Sequence, residues 1–226
     1  ILAFFNFFYI ISFFKHKLHY IGICNKMKLV KDTDQIQKKD QEISDEKAEA
    51  AVKTILQWIG ENAEREGLKS TPKRVVKAFK EYFQGYKETP ANYLKKTFTE
   101  VEGYDDMVIE KNISIRSHCE HHMAPIIGVA HVAYIPHKKV VGLSKLARVV
   151  EAFSKRLQTQ ERLTMQIAKT IMEVLQPRGV AVTIDATHQC MTDRGIKKEN
   201  ASTVTNYFLG AFKDDLSFQN RYLRYI

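Results

Sequence analysis

Three residues in this chain have the chemistry to hold a soft metal ion: Cys119, His122 and Cys190. The first two stand in Ser117-His118-Cys119-Glu120-His121-His122, where C-x-x-H spacing lets both side chains meet one ion. Cys190 stands in a second loop, His188-Gln189-Cys190-Met191-Thr192-Asp193-Arg194-Gly195. Thiolate combined with imidazole favours zinc over magnesium or calcium. A structural zinc site closes with four protein ligands, and the remaining cysteine, Cys24, lies far upstream in a segment of different character. Three ligands leave a position for water, whose pKa zinc lowers to about 7. That is a catalytic arrangement. Either cysteine alone reads as a small buried hydrophobe; the clustering of Cys and His in two loops changes the reading.

A second chemistry is written at two helix starts. Gly142-Leu143-Ser144-Lys145-Leu146-Ala147-Arg148 opens one, with Ser144 expected as N-cap and Lys145 and Arg148 on one face. Cations in a first turn oppose the helix macrodipole, whereas free backbone N–H groups beside cations make a phosphate site. Thr71-Pro72-Lys73-Arg74 repeats the pattern. Taken singly, each motif is equally well explained as a surface helix with incidental cations. Glu161, near another helix start, is stabilising there without any ligand.

The chain must position these loops, and its 226 residues, 44% hydrophobic, are enough for one large domain with a well-filled core. The net charge is +9, but residues 1–31 carry five lysines and no acid, so the remainder is only mildly basic. That balance suits a pocket for a polyanionic small molecule and does not call for a nucleic-acid groove. Three cysteines are a poor disulfide framework and point to a reducing, cytoplasmic setting.

Residues 1–14, ILAFFNFFYIISFF, are strongly apolar but shorter than the roughly 20 residues a membrane span needs. The positive charge follows the apolar run instead of preceding it, so a signal peptide is not indicated either. The expectation is that the native start is Met27, that 1–44 is a leader and flexible segment outside the folded domain, and that no membrane is engaged.

From Asp45 to Glu66, Ala48, Val52, Ile55, Ile59 and Ala63 recur at helical spacing, with Ser44 as N-cap and Gly67 as terminator. A second helix starts at Thr71-Pro72, with Thr71 as its cap, buries Val75, Phe79 and Phe83, and stops at Gly85. Strands are predicted at 108–117 and 126–135, helices at 144–157 and 160–176, strands at 179–187 and 203–212, and a short helix after Asp214. This order predicts an α+β fold, an antiparallel four-stranded sheet with two inserted helices, preceded by N-terminal helices.

The segments TPKRV (71–75), SHCEHHMAP (117–125), GVAHVAYIP (128–136), VVGLSKLARVVE (140–151), RLQTQERLT (156–164), GVAVTIDATHQCMTDRG (179–195) and TVTNYFLGAFKDD (203–215) resemble the GTP cyclohydrolase I family. They run in the family's order from about residue 45 to the C-terminus. The resemblance implies the tunnelling fold (T-fold) over 45–226 and a Zn2+ cofactor on Cys119, His122 and Cys190. It implies conversion of GTP and water to 7,8-dihydroneopterin triphosphate and formate, the first step of tetrahydrofolate and pterin biosynthesis. It makes His121 the proton donor to N7 during hydrolytic attack at C8, and His188 the second catalytic histidine. Ser144 falls near the ribose. Glu161 and Gln160 fall at the guanine, and Arg74, Lys145, Arg148 and Arg194 around the triphosphate. A carboxylate facing the guanine edge would reject adenine, which lacks the matching donors. The resemblance also implies a homodecamer with sites at subunit junctions.

The sequence departs from the family at Gln189 and near Thr192-Asp193, where apolar residues are usual, and at Ile126 and Asn206. Asp193 is expected to offset part of the charge of Arg194. Two rival readings are a nitrile reductase of the same fold and a non-catalytic zinc module on nucleic acid. A metal cluster with an open position argues against both.

Overall fold

Strand pairing in this protein brings distant loops to one end of a sheet. The computed structural model describes residues 43–99 and 103–226. The chain divides into two units, residues 1–48 and 49–226. In the first, Ser44 accepts the Lys47 backbone N–H at 3.4 Å, the N-cap expected at the head of α1 (Asp45–Trp58). The predicted leader, with its expected start at Met27, lies outside the described residues, apart from residues 43 and 44.

The second unit continues with α2 (Thr71–Tyr82), two short 3-10 turns (Gln84–Lys87 and Pro90–Leu94) and β1 (Thr97–Phe98). Then come β2 (Val108–Cys119), β3 (Pro125–Ile135), β4 (Val140–Val141), α3 (Leu143–Ser154), β5 (Leu157–Gln158) and α4 (Gln160–Leu175). The chain ends with β6 (Gly179–His188), the turn α5 (Gln189–Thr192), β7 (Thr203–Gly210), α6 (Ala211–Asp214) and α7 (Leu216–Tyr225). The main sheet has the order β5-β2-β3-β6-β7. Its four long strands are antiparallel neighbours, and β5 pairs parallel to the end of β2. The α+β expectation, with two helices between the second and third long strands, is met.

Side-chain alternation divides the sheet into two faces. On one, Ile115, Ala130, Val132, Tyr134, Val180, Val182 and Ile184 pack in one core with Leu146 and Val150 of α3 and Leu163, Ile167 and Ile171 of α4. On the other, Ala133, Ile135 and Ala181 meet Phe212 and Tyr222 from the C-terminal helices. The β2–β3 register shifts between Glu110 and Ile113, where Asn112 takes φ +57°. That bulge lets Val108 and Ile113, an odd number of residues apart, both pack against the helix-side core.

Several expectations are corrected. Helix α1 ends at Trp58 and not at Gly67, because Gly60, at φ +91°, turns the chain first. Helix α2 is capped by Ser70, not Thr71, with no side-chain bond, and it stops at Tyr82 ahead of Gly85. None of its residues is fully buried, and Phe79 keeps 41% of its surface exposed. Helix α3 starts one residue early, at Leu143, so Gly142 is its N-cap and Ser144 lies inside the first turn without capping. Leu157 belongs to β5, not to a helix. Among the described residues, no helix is long and apolar enough to cross a membrane.

Candidate metal centre and active site

Strands β2 and β6 both run antiparallel to β3, so their C-terminal ends meet beside its start. Ile126 pairs with His188 and Pro125 with His118. The parallel pairing of Cys119 with Gln158 brings the N-terminus of α4 to the same end. The site is assembled by register.

The β2–β3 turn is tight: the Cys119 N–H donates to Ala124 O at 2.8 Å, and the Met123 N–H to Cys119 O at 2.8 Å. Met123 takes φ +53° to close it. His122 is thereby folded back, with Nδ1 at 3.9 Å from Cys119 Sγ. Cys190 arrives on α5, directly after β6. The ligand atoms of Cys119, His122 and Cys190 all lie within 4.8 Å of one another. Burial, and then the Cys119 thiol beside it, push the Cys190 thiol up from its ordinary pKa. Two crowded thiols resist ionising together; a cation among them removes that penalty, so the donor set fits a soft divalent metal.

Around this cluster is a cavity of about 270 Å³, lined among others by His121, Glu161, His188 and Thr203. His121 is largely exposed; its Nδ1 is 3.8 Å from Cys119 Sγ and its Nε2 is 3.8 Å from Glu120 Oε1. Glu120 is itself held by Arg162 at 2.5 Å, and Arg162 also donates to Leu157 O at 2.9 Å. His188 Nε2 lies 2.8 Å from Gln160 Oε1. Burial lowers the His188 pKa, with the nearby Glu161 charge opposing, so the neutral imidazole is favoured. Glu161 is exposed at the boundary with a neighbouring cavity of about 520 Å³ that Thr164, Thr205 and Asn206 also line.

Seven of the site residues read from the sequence therefore come together: Cys119, His122, Cys190, His121, His188, Gln160 and Glu161. Ser144, Lys145, Arg148, Arg74 and Arg194 do not line the metal-centre cavity. Ser144, Arg74, Arg148 and Arg194 are exposed, Lys145 is half-buried, and Arg148 stacks over the Tyr93 ring at 5.9 Å. Gln189 and Asp193 prove to be one feature. With its amide nitrogen turned toward Asp193, the orientation that satisfies both groups, Gln189 donates to the carboxylate at 2.9 and 3.0 Å. Thr192 Oγ1 donates to the same carboxylate at 2.9 Å.

The profile of the GTP cyclohydrolase I family matches residues 48–226. The chain belongs to the GTP cyclohydrolase I family. It is 72% identical over 200 residues to GTP cyclohydrolase 1 of Pelagibacter ubique (strain HTCC1062), covering 88% of this chain and 99% of that one. GTP cyclohydrolase 1 of Maricaulis maris (strain MCS10) is 59% identical over 181 residues, 80% of this chain and 88% of the relative. With a crystal structure of the archaeosine synthase QueF-Like in the apo form, identity is 18% and the TM-score 0.39, over 46% of this chain and 94% of that one. That likeness is too slight to bear on fold or activity.

Sequence reasoning missed two supports of this candidate site. The Glu120–Arg162 pair joins residues 42 positions apart, and only an acid set among the ligands signals it. The threonines Thr164 and Thr205, 41 positions apart and 2.7 Å from each other, carry no local signal.

Proposed function

We propose that this chain is a zinc-dependent hydrolase that converts GTP and water to 7,8-dihydroneopterin triphosphate and formate. The observation that carries the reading is the convergence of three metal-ligating atoms within 4.8 Å on a cavity that also holds two histidines and a carboxylate. Family membership and high identity to proteins named GTP cyclohydrolase 1 support the substrate. The ββααββ order with its antiparallel sheet supports the tunnelling fold.

Zinc on Cys119, His122 and Cys190 would supply Lewis acidity and an activated water close to neutral pH. The protein residues do the rest. His121, exposed at the cavity mouth, gives a proton to N7 of the purine, which makes C8 electrophilic. His188, neutral through burial, takes a proton during the ring-opening steps that release C8 as formate. Glu161 accepts hydrogen bonds from the guanine edge; adenine would leave its carboxylate unpaired.

Arg74, Lys145, Arg148 and Arg194 bind the triphosphate, and Ser144 meets the ribose. These five residues do not line the metal-centre cavity of the single chain. A homo-oligomer, a decamer by family resemblance, supplies them by joining sites across subunit junctions, in the cytoplasm. Incubation with GTP tests the proposal: pterin fluorescence must rise with formate in equal amount, and ATP must give neither. Formate from neither nucleotide would overturn it.

A further inference from the structure

Gln160 opens α4 with only 2% of its surface exposed. Its amide nitrogen shares its two hydrogens among three acceptors, Thr203 O at 2.7 Å, Ile184 O at 3.1 Å and Thr205 Oγ1 at 3.2 Å. Carbonyl oxygens only accept, so the nitrogen end of the carboxamide is fixed on that side. The threonine hydroxyls agree. Thr164 Oγ1 donates its one hydrogen to the Gln160 backbone carbonyl at 2.7 Å. The 2.7 Å contact between the two hydroxyls therefore runs from Thr205 to Thr164. Thr205 is left with lone pairs for the Gln160 amide, as the geometry requires.

With the nitrogen spent in this way, Oε1 is the atom that faces His188 Nε2, at 2.8 Å. An amide oxygen carries no hydrogen, so the hydrogen of that bond sits on Nε2. A neutral imidazole has one N–H, so Nδ1 holds the lone pair. We infer that Gln160 is a positioning residue that fixes His188 as its Nε2–H tautomer, leaving Nδ1 as the nitrogen that accepts a proton. Gln160 then serves the reaction through His188, and its own polar atoms are committed inside the protein instead of to the purine. The catalytic meaning rests on the proposed role of His188; the tautomer does not.

The same proton count ties edge strand β7 to the chemistry. Thr203 and Thr205 hold the amide that holds the histidine, so β7 contributes to the site through Gln160.

The test uses the full chain loaded with zinc, its histidines labelled with 15N, at about pH 8, above the ordinary histidine range. Long-range proton–nitrogen spectra are expected to show His188 with a protonated Nε2 and a bare Nδ1. Gln160→Leu, similar in size but apolar, is expected to shift His188 toward a mixture of tautomers. In the same variant kcat for GTP falls about tenfold, less than the roughly 10²–10⁴-fold that general acid–base catalysis contributes in full because His188 is still present, while KM stays nearly constant. A wild-type proton on Nδ1, or a variant with an unchanged tautomer, overturns the inference. A raised KM with unchanged kcat also overturns it, since that would mark a direct substrate contact. If Gln160→Leu does not fold, the wild-type spectrum alone decides. A wild-type chain that releases no formate from GTP would sink the functional reading and leave the spectrum to judge the tautomer.

Discussion

Gly128 sits in β3 opposite Ala186 of β6, in the strand pair that carries His188 and Cys190 to the metal centre. A Cβ added there would lie 2.1 Å from Asp185 O, 2.5 Å from Ala186 Cα and 2.6 Å from Ala186 Cβ. Two of these three neighbours are backbone, which no side-chain rotation relieves. Carbon contacts settle near 3.5 Å, so the strands must part by about 1 Å for Gly128→Ala to fit. Overpacking costs about 1–3 kcal/mol, and backbone overlap places this case at about 3. At about 2–4 °C per kcal/mol for a domain of this size, Tm should fall by about 6–12 °C. Since β6 must shift against β3, Cys190 also moves away from Cys119 and His122. Thermal unfolding followed by circular dichroism reads the first effect, and metal analysis of the folded variant reads the second. A variant with unchanged Tm and unchanged metal content would refute the claim that strand register at this point sets the site.

Tyr222 is fully buried and donates its one hydroxyl hydrogen to His131 O at 3.0 Å, with Thr183 Oγ1 2.9 Å from the same oxygen. Tyr222→Phe should cost about 1–2 kcal/mol in urea unfolding and leave GTP turnover unchanged; an unaltered midpoint would count against the bond. Burial lowers the pKa of His118, His131 and His188, so their folded values lie below the unfolded one. Their neutral forms stabilise the fold fully above about pH 6.5, and that contribution is lost as pH falls through the lowered folded values. Urea midpoints should therefore drop on acidification from about pH 7.5 to about 5.5, and equal midpoints would contradict the assignment. Arg148→Ala should raise KM for GTP about tenfold with less effect on kcat, since a charge-assisted contact is worth about 1.5–3 kcal/mol. An unchanged KM in steady-state kinetics would remove Arg148 from the triphosphate site.

The long strands and the two inserted helices were legible in the sequence because each buries one face against the other, and burial writes its period into the residues. Val180, Val182 and Ile184 alternate with Ala181 and Thr183, and all three enter the helix-side core. The convergence of Cys119, His122 and Cys190 was legible by residue type, since thiol and imidazole in two loops have few other joint uses. Helix ends were harder to read. Gly67 was a valid terminator on its own terms, but Gly60 came first and took the left-handed turn. Ser144 was a valid cap, yet backbone pairing began one residue earlier, at Leu143. What local patterns could not carry were contacts made by register: the two-residue β5 alongside β2, Arg162 reaching Glu120, and Thr205 reaching Gln160. Each joins residues at least 39 positions apart, which neither a helical nor a strand period encodes.

The central claim is that hydrolysis of GTP depends on one metal held by Cys119, His122 and Cys190. Zinc and formate measured on the same samples, for wild type and for Cys190→Ala, test it most directly. The account predicts one zinc per chain and stoichiometric formate from GTP in wild type, and loss of both in a variant that stays folded. Full zinc in Cys190→Ala, or formate released without zinc, would contradict it.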